Sequence, residues 1–415
     1  MTTGEIDMEP KQDNPIAGSQ VAPSAEARNP HDRPGTVAAA VAFSCIGVFG
    51  ILAAPILAQA LGSQLGFGPE QIGRIVSAEI FGGALASIAA SLWIRSLDWR
   101  LAGGLAIIVV IAANLLSSFQ SDANLLAGLR FVAGFAGQGT AFAVAIGIIN
   151  RSSQHDRNFA FSIAAQVSVG VLTLLALPPL AQRFGVAGVL LPLAILAAAV
   201  LTLLPWVPDS ATRAAADSDE PVAGRAPAAS GGRGPAIAAL ACLLIWCTGL
   251  GGIWTFLLRI GEAGGLSATG AGQAIAISTT VGVSGALAAS WLAGRGGRVL
   301  PVGVALLVQA GAILMLQGDF SFLRFAVTAA VFQSFWNFTG PYLMGSVASA
   351  DPDGRISVLI PAAQTGGFAL GPFLAGQLMS GDSLLAANYV GAAGCGLALV
   401  LFLATALRPG SRARG

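Results

Sequence analysis

A single positive charge inside an apolar run is the feature of this sequence that most directly suggests chemistry. Arg130 lies in Leu129-Arg130-Phe131-Val132-Ala133-Gly134-Phe135-Ala136-Gly137-Gln138-Gly139, within the apolar segment Ala123–Ile149. An arginine in the hydrocarbon core of a membrane costs about 2.5 kcal/mol or more, so it persists where it faces a protein interior and meets a partner. The glycines that follow allow a neighbouring helix to approach closely. The stretch predicts a buried charge on a tightly packed spanning helix.

Glu79 is the partner that the sequence offers, because it is the only carboxylate well inside a predicted span. Counted from Glu70 at 1.5 Å per residue, it lies about 13 Å deep, near the middle of a membrane core of about 30 Å. Burial favours the neutral form of a carboxylic acid unless a cation lies close by. One interpretation is that Arg130 holds Glu79 ionised in one state and releases it in another, so that the pair carries a proton. The alternatives are a static brace between two helices and no contact at all.

Aromatic and amide side chains alternate along the stretch from residue 333 to residue 338. Gln333 and Asn337 are four residues apart and share a helix face, with Trp336 beside it. Ligand cavities are mostly apolar with a few polar groups, so this face predicts the lining of a substrate cavity. The alternative is an amide hydrogen bond between helices, surrounded by aromatic packing. Further candidates for the same cavity are Trp254, Gln138, Gln166 and Gln364.

Three other charged residues lie near the ends of predicted spans. Arg324 either reaches the outer membrane surface or awaits an anionic substrate in the cavity. Arg259 and Glu262 are three residues apart, which is the spacing of an ion pair on a helix surface, and we interpret them in that way.

The composition places these residues in a membrane protein. Of the 415 residues, 55% are hydrophobic and 10% are charged, against about 25% charged in soluble domains. The net charge of +1 gives no electrostatic footprint for nucleic acid. The four cysteines lack metal-binding spacing, both histidines lie outside the predicted spans, and no phosphate-binding loop occurs. We therefore expect neither a metal nor a cofactor, and no enzymatic activity.

Twelve apolar runs are long enough to cross a membrane, which takes about 20 residues. A run rich in Ala, Gly, Ser and Asp separates the sixth from the seventh. The predicted organisation is a disordered cytoplasmic tail (1–35), a six-helix bundle (36–207), a linker (208–235), a second six-helix bundle (236–407) and a tail (408–415). The spans are Thr36–Leu61, Gln71–Ile94, Leu101–Phe119, Ala123–Ile149, Phe159–Ala181, Val186–Trp206, Ala236–Leu258, Ala268–Leu292, Leu300–Leu316, Ser321–Val347, Ile356–Met379 and Leu385–Leu407.

The basic residues indicate the orientation. Most of the arginines in short loops fall on the side that also carries both chain ends, which predicts that both ends are cytoplasmic. We expect a monomer in the inner membrane of a bacterium.

The two halves of the chain resemble each other. Gly83-Ala84-Leu85-Ala86 in the second span recurs as Gly285-Ala286-Leu287-Ala288 in the eighth. Leu129-Arg130-Phe131 in the fourth recurs as Leu323-Arg324-Phe325 in the tenth. The same order six spans apart predicts a parallel duplication about an axis along the membrane normal.

This arrangement resembles the major facilitator superfamily. The basic loops Arg95–Arg100 and Gly294–Arg298 are similar to the family's conserved basic loops, and Arg130 with its glycines is similar to the fourth-span motif. The stretch from Ile253-Trp254 to Gly261-Glu262 is similar to a subgroup of bacterial members. The resemblance implies an all-α membrane fold of two pseudo-symmetric six-helix bundles. It also implies a substrate site between them, exposed alternately to each side of the membrane.

The function expected from these residues is secondary active transport of a small organic solute. Because one buried carboxylate suffices for a proton, proton coupling is favoured. The fifth-span Gly-Pro motif of drug/proton antiporters is absent, since Gly170 is far from Pro178-Pro179, which favours uptake by symport over efflux. Arg324 would make the solute an organic anion. A membrane sensor that does not transport is the alternative of another class.

Overall fold

Twelve helices make up the fold. The computed structural model describes residues 29–94, 96–209, 234–292, 297–351, 355–379 and 383–406, and it has no strand in these ranges. The helices are α1 (Pro34–Leu65), α2 (Pro69–Trp93), α3 (Trp99–Ser117), α4 (Ala123–Asn150), α5 (His155–Phe184), α6 (Val186–Trp206), α7 (Gly234–Ala263), α8 (Ala268–Leu292), α9 (Val299–Met315), α10 (Phe322–Ala350), α11 (Ile360–Leu378) and α12 (Leu385–Ala406).

Among the described residues, nine of these helices are long and apolar enough to cross a membrane. α9 is apolar but has only 17 residues. α10 and α11 carry amide and hydroxyl side chains along their length, among them Gln333 and Gln364, which lowers their hydropathy.

The N-terminal bundle begins before the predicted boundary at residue 36. α1 starts at Pro34, and a short 3-10 turn, Pro30–Asp32, precedes it. Asn29 Nδ2 donates to the carbonyl of Arg151 at 2.8 Å, and Ser153 Oγ donates to Asp32 at 2.6 Å. Asn29 and Asp32, which fall in the predicted cytoplasmic tail, thus contact the α4–α5 loop. Residues 1–28, the linker residues 210–233 and the tail 407–415 lie outside the described residues.

α1 is broken in its middle. The first segment ends at Gly47, Val48 has φ −112° and ψ 8°, and the second segment begins at Phe49. A break of this kind frees backbone groups that need partners from elsewhere in the bundle. It also places the amino-terminal end of a helical segment inside the protein.

α4 contains a π-helical segment over Ala133–Gly139, the glycine-rich stretch that follows Arg130. π segments are rare and occur frequently at functional sites. Each π turn takes more residues than an α turn, so the segment shifts the faces on which later side chains lie. The sequence gives no periodic signal for such a shift.

The glycines of α4 allow two helices to touch at their backbones, as predicted. A Cβ on Gly134 would collide with the backbone carbonyl of Glu79, and one on Gly139 would collide with Ala86. The second half repeats the arrangement, since a Cβ on Gly285 of α8 would collide with the carbonyl of Ser334 on α10. Both halves therefore use the same close helix pair, and they form two six-helix bundles related by pseudo-two-fold symmetry.

The two bundles meet at the end of the molecule opposite the α6–α7 connection, called here the far end. A Cβ on Gly73 of α2 would collide with the carbonyl of Pro372 on α11. Gly272 of α8 likewise lies against Leu174 and Pro178 of α5. Small residues thus seal the far end by backbone contact.

The other end, where α6 ends and α7 begins, is called the linker end. α8 is mostly buried along residues 268–278 but mostly exposed along residues 283–291. Leu287 is 67% exposed on α8, and Ile163 is 60% exposed on α5. The rest of the protein therefore covers α8 less towards the linker end than towards the far end.

Candidate functional site

An ion pair lies in the interior of the N-terminal bundle. Arg130 Nη1 of α4 is 3.5 Å from Glu79 Oε1 of α2, and the two residues are 1% and 4% exposed. The backbone contact at Gly134 holds α2 and α4 close enough for the pair to form. The positive and negative charges cancel within a single dry cluster, which is the condition under which charges persist in a membrane.

Two neutral side chains of α3 complete the shell of Arg130. Nη1 donates to Asn114 Oδ1 at 2.8 Å, while Nη2 and Nε donate to Ser117 Oγ at 2.9 and 3.2 Å. These contacts are shorter than the contact with Glu79, so α3 holds the guanidinium more closely than the carboxylate does. Sequence reasoning missed both residues, although an Asn and a Ser three apart on one face of an apolar helix are a signal.

Gln138 contacts the same carboxylate. Its Nε2 donates to Glu79 Oε1 at 2.6 Å, and its Oε1 accepts from the backbone N–H of Gly50 at 3.1 Å. The prediction that Gln138 lines the substrate cavity is corrected, because this amide is buried inside the N-terminal bundle. In an α-helix, Gln138 would lie about 80° from the face of Arg130. The wider π turns reduce that offset and bring both side chains to Glu79.

The broken α1 therefore meets the carboxylate. A Cβ on Gly50 would lie 3.0 Å from Glu79 Cγ, so the carboxylate lies beside the first turn of the second α1 segment. The exposed N–H groups at the start of a helical segment carry partial positive charge and favour a nearby anion. Arg130, Gln138 and this helix start thus surround the carboxylate of Glu79 with hydrogen-bond donors.

A second cluster, aromatic in character, joins the two bundles. The indole Nε1 of Trp254 on α7 donates to the carbonyl of Ile51 on α1 at 2.6 Å. Trp254 packs edge-on against Trp336 of α10 at 5.7 Å between ring centroids. Trp336 in turn stacks on Phe368 of α11 at 5.2 Å and contacts Phe332 at 5.8 Å. Trp336 thus contacts rings from α7, α10 and α11, and Trp254 links this cluster to α1 of the other half.

The amides of α10 lie beside this cluster, turned towards α8. Gln333 is buried, with Nε2 3.5 Å from Thr279 Oγ1. Asn337 is half-buried, with Nδ2 beside Gly282. Gln333 has the interhelical contact that was the alternative to cavity lining, whereas Trp336 and Asn337 remain partly accessible.

The structure places the remaining candidates at three separate sites. Arg324 is exposed and turned into the far-end loop, where Nη1 donates to the Asp319 carbonyl at 2.6 Å and Nη2 to the Gln317 carbonyl at 3.1 Å. It is therefore not part of the central cavity. Gln166 is half-buried on α5 and donates to Ser162 at 3.0 Å. Gln364 is half-buried on α11 towards the linker end.

The pair Arg259 and Glu262 lies between the bundles at the far end and is not a simple surface pair. Gln59 Nε2 of α1 donates to Glu262 Oε1 of α7 at 3.4 Å. A Cβ on Gly62 would lie 2.9 Å from the guanidinium carbon of Arg259. These contacts link α1 to α7 across the halves. In the described residues, no group of three His, Cys, Asp or Glu side chains is placed to hold a metal ion.

A sequence model of the Major Facilitator Superfamily matches residues 37–366. The chain belongs to this superfamily. Its fold is that of the superfamily's transporters, and it is a multi-pass membrane protein. No curated protein sequence matches the chain.

Solved structures of superfamily transporters share the fold. The nucleoside transporter NupG has a TM-score of 0.67 at 15% identity, over 89% of this chain and 98% of NupG. The xylose transporter XylE from E. coli, in a partially occluded inward open conformation, has a TM-score of 0.67 at 11% identity, over 90% and 97% of the two chains. A D-xylose-proton symporter has a TM-score of 0.66 at 12% identity, over 88% and 96%. At these identities the likeness is one of fold.

Proposed function

We propose that this protein moves a small organic solute across the membrane together with a proton, by alternating access. The observation that carries the proposal is the contact of Glu79 with Arg130 and Gln138 in the dry interior of one bundle. A lone carboxylate with a cation at 3.5 Å can be ionised while the contact lasts and protonated when it loosens. A static brace would have the same pair but no change in its protonation.

The proposed solute site lies at Trp336, where the halves meet. Trp254 and Phe368 provide further ring faces, and Asn337 provides an amide that can donate and accept hydrogen bonds. The proposed set contains no charged side chain. We therefore favour an uncharged, hydroxyl-bearing solute, which is also the kind of solute named for NupG and XylE. The organic anion loses its support because Arg324 is held by the far-end loop.

The proposed direction is uptake, with both chain ends in the cytoplasm of a bacterial cell and a monomer in the inner membrane. In that orientation the far-end contacts close the outside. The alternative is efflux, in which the same site would release the solute to the outside in exchange for an incoming proton. A sensor is a weaker candidate, because the described chain outside the helices consists of short loops.

Purified full-length protein in liposomes tests the proposal. The assay follows uptake of labelled nucleosides and pentoses, with aromatic carboxylates as the anionic comparison, under an inward or an outward pH gradient. Accumulation of a neutral solute driven by inward proton movement is the expected result. Accumulation under the opposite gradient would indicate efflux. Flux that does not depend on the pH gradient would rule out proton coupling. The absence of flux for every solute would favour the sensor.

A further inference from the structure

Gln138 contacts both the carboxylate of Glu79 and the backbone of α1 at its break. Its Nε2 lies 2.6 Å from Glu79 Oε1, and its Oε1 lies 3.1 Å from the Gly50 nitrogen. The amide can make both bonds because it has a donor and an acceptor at its two ends. Gly50 leaves room for it, since a Cβ there would lie 3.0 Å from Gln138 Oε1.

The two protonation states of Glu79 require different partners. An ionised carboxylate only accepts hydrogen bonds, so it binds the Nε2 end of Gln138 and leaves Oε1 for Gly50. A protonated carboxyl carries an O–H that needs an acceptor, and Oε1 of Gln138 is the acceptor next to it. When Oε1 turns to Glu79, the N–H of Gly50 loses its partner. An unpaired buried N–H is costly, so α1 responds at its break.

We propose that Gln138 is a positioning residue that converts protonation of Glu79 into a movement of α1 at Val48–Gly50. The inference rests on the proposed proton coupling and adds the residue that transmits it. Arg130 is the charged side chain in contact with Glu79. From α3, Asn114 and Ser117 contact Arg130, and α1 contributes the uncharged Gly50.

The movement has a route to the other half of the molecule. Ile51 follows Gly50 directly, and its carbonyl accepts the indole N–H of Trp254 at 2.6 Å. Trp254 packs against Trp336 at 5.7 Å, in the proposed solute site. One short stretch of α1 therefore contacts the carboxylate cluster on one side and the aromatic cluster on the other. A route of contacts becomes a coupling only when breaking it uncouples the two events.

The experiment measures both events in the same solute-free protein, full length in lipid nanodiscs, as the pH is varied. The first is the infrared C=O band of a protonated carboxyl, assigned to Glu79 by its loss in Glu79→Gln. The second is the distance between spin labels on Ile163→Cys of α5 and Leu287→Cys of α8, both exposed near the linker end. The four native cysteines are buried, which favours labelling of the introduced ones.

In the wild-type protein we expect the band and the distance to change over the same pH range. In Gln138→Leu the band still titrates and the pH-dependent distance shift is lost. Trp254→Phe, which keeps the ring and removes the indole N–H, gives the same result from the other end of the route. Gln309→Leu is the matched control: Gln309 is a buried amide bridging Trp246 and Phe332, and its loss leaves both responses in place.

A Gln138→Leu protein whose distance follows pH as in the wild type would overturn the inference and leave proton coupling standing. If the Glu79 band does not titrate in the wild type, proton coupling fails and the role of Gln138 fails with it. If Gln138→Leu does not fold, Trp254→Phe decides alone, because a retained distance shift there breaks the proposed route.

Discussion

Glu79 and Arg130 lie in contact across the α2–α4 interface, and the described residues of the second half contain no equivalent of that contact. Arg324, the repeat counterpart of Arg130, turns instead to the carbonyls of the far-end loop. The duplicated backbone is therefore symmetric while its side chains are not. The N-terminal bundle carries the buried charges, and the C-terminal bundle contributes most of the aromatic cluster around Trp336. This division separates the proposed proton site from the proposed solute site.

Glu79→Gln tests the proton role directly. A glutamine keeps the size and the hydrogen bonds of the carboxyl group but cannot carry a proton. We expect gradient-driven accumulation to be lost while exchange of solute across the membrane without a gradient persists. Glu70→Gln is the matched control, because Glu70 is an exposed acid in the first turn of the same helix. If Glu79→Gln accumulates solute as the wild type does, the ion pair of Glu79 and Arg130 is a static brace.

Arg130→Leu should destabilise the protein strongly. It leaves the carboxylate of Glu79 buried without its cation, a change that costs about 3–5 kcal/mol when one partner of a buried pair is removed. Asn114 and Ser117 lose their hydrogen-bond donors as well. Thermal unfolding in nanodiscs measures the effect. The double variant Arg130→Leu with Glu79→Gln should recover part of the loss, since no buried charge remains, and an unchanged midpoint in Arg130→Leu would contradict the pairing.

The sequence was sufficient to predict the pairing of Arg130 with Glu79, because a membrane interior leaves a lone charge few choices. Hydropathy likewise predicted the twelve helices, and the recurrence of Leu-Arg-Phe at Leu129 and Leu323 indicated the duplication. The position of Gln138 could not be predicted, since the π segment shifts its helix face and leaves no periodic trace in the sequence. The position of Arg324 depends on loop carbonyls that are exposed by a turn in which Gly318 has φ 78°. The contact of Trp254 with Ile51 needs the docking of the two halves, which local pattern does not specify.

Gly134→Ala should separate α2 from α4. The added methyl group meets the backbone carbonyl of Glu79, which cannot rotate away, and overpacking of this kind costs about 1–3 kcal/mol. Gly128→Ala on the same helix is the control, since its Cβ would have nothing within 4 Å. The thermal unfolding midpoint should fall in Gly134→Ala and stay near the wild-type value in Gly128→Ala. Equal midpoints would mean that the helices are not in backbone contact at Gly134.

The hydrogen bonds that Asp351 accepts in the loop between α10 and α11 should weaken in acid. The backbone N–H groups of Ser357 and Ile356 each donate to Asp351 Oδ2 at 2.7 Å, and these bonds lower the pKa of Asp351 below its ordinary value of 3.8. Because the folded pKa is the lower one, the stabilisation is complete above the ordinary value and is lost as the pH falls through the folded one. Protection of these two amides from hydrogen exchange, relative to the unprotected rate at each pH, should fall there. Asp351→Asn should reduce the protection at neutral pH and remove its acid dependence.

Substitutions of Trp336 and Arg324 should have different effects on KM for the transported solute. Trp336→Leu removes a ring face from the proposed solute site, so we expect KM for a transported neutral solute to rise about fivefold to tenfold, as the loss of one aromatic contact predicts. Arg324→Gln removes a guanidinium that already donates to carbonyls of the far-end loop. KM for a neutral solute should therefore stay unchanged. Initial uptake rates at varied solute concentration measure both values. A rise in KM confined to Arg324→Gln would return the anionic solute to consideration and move the binding site to the far end of α10.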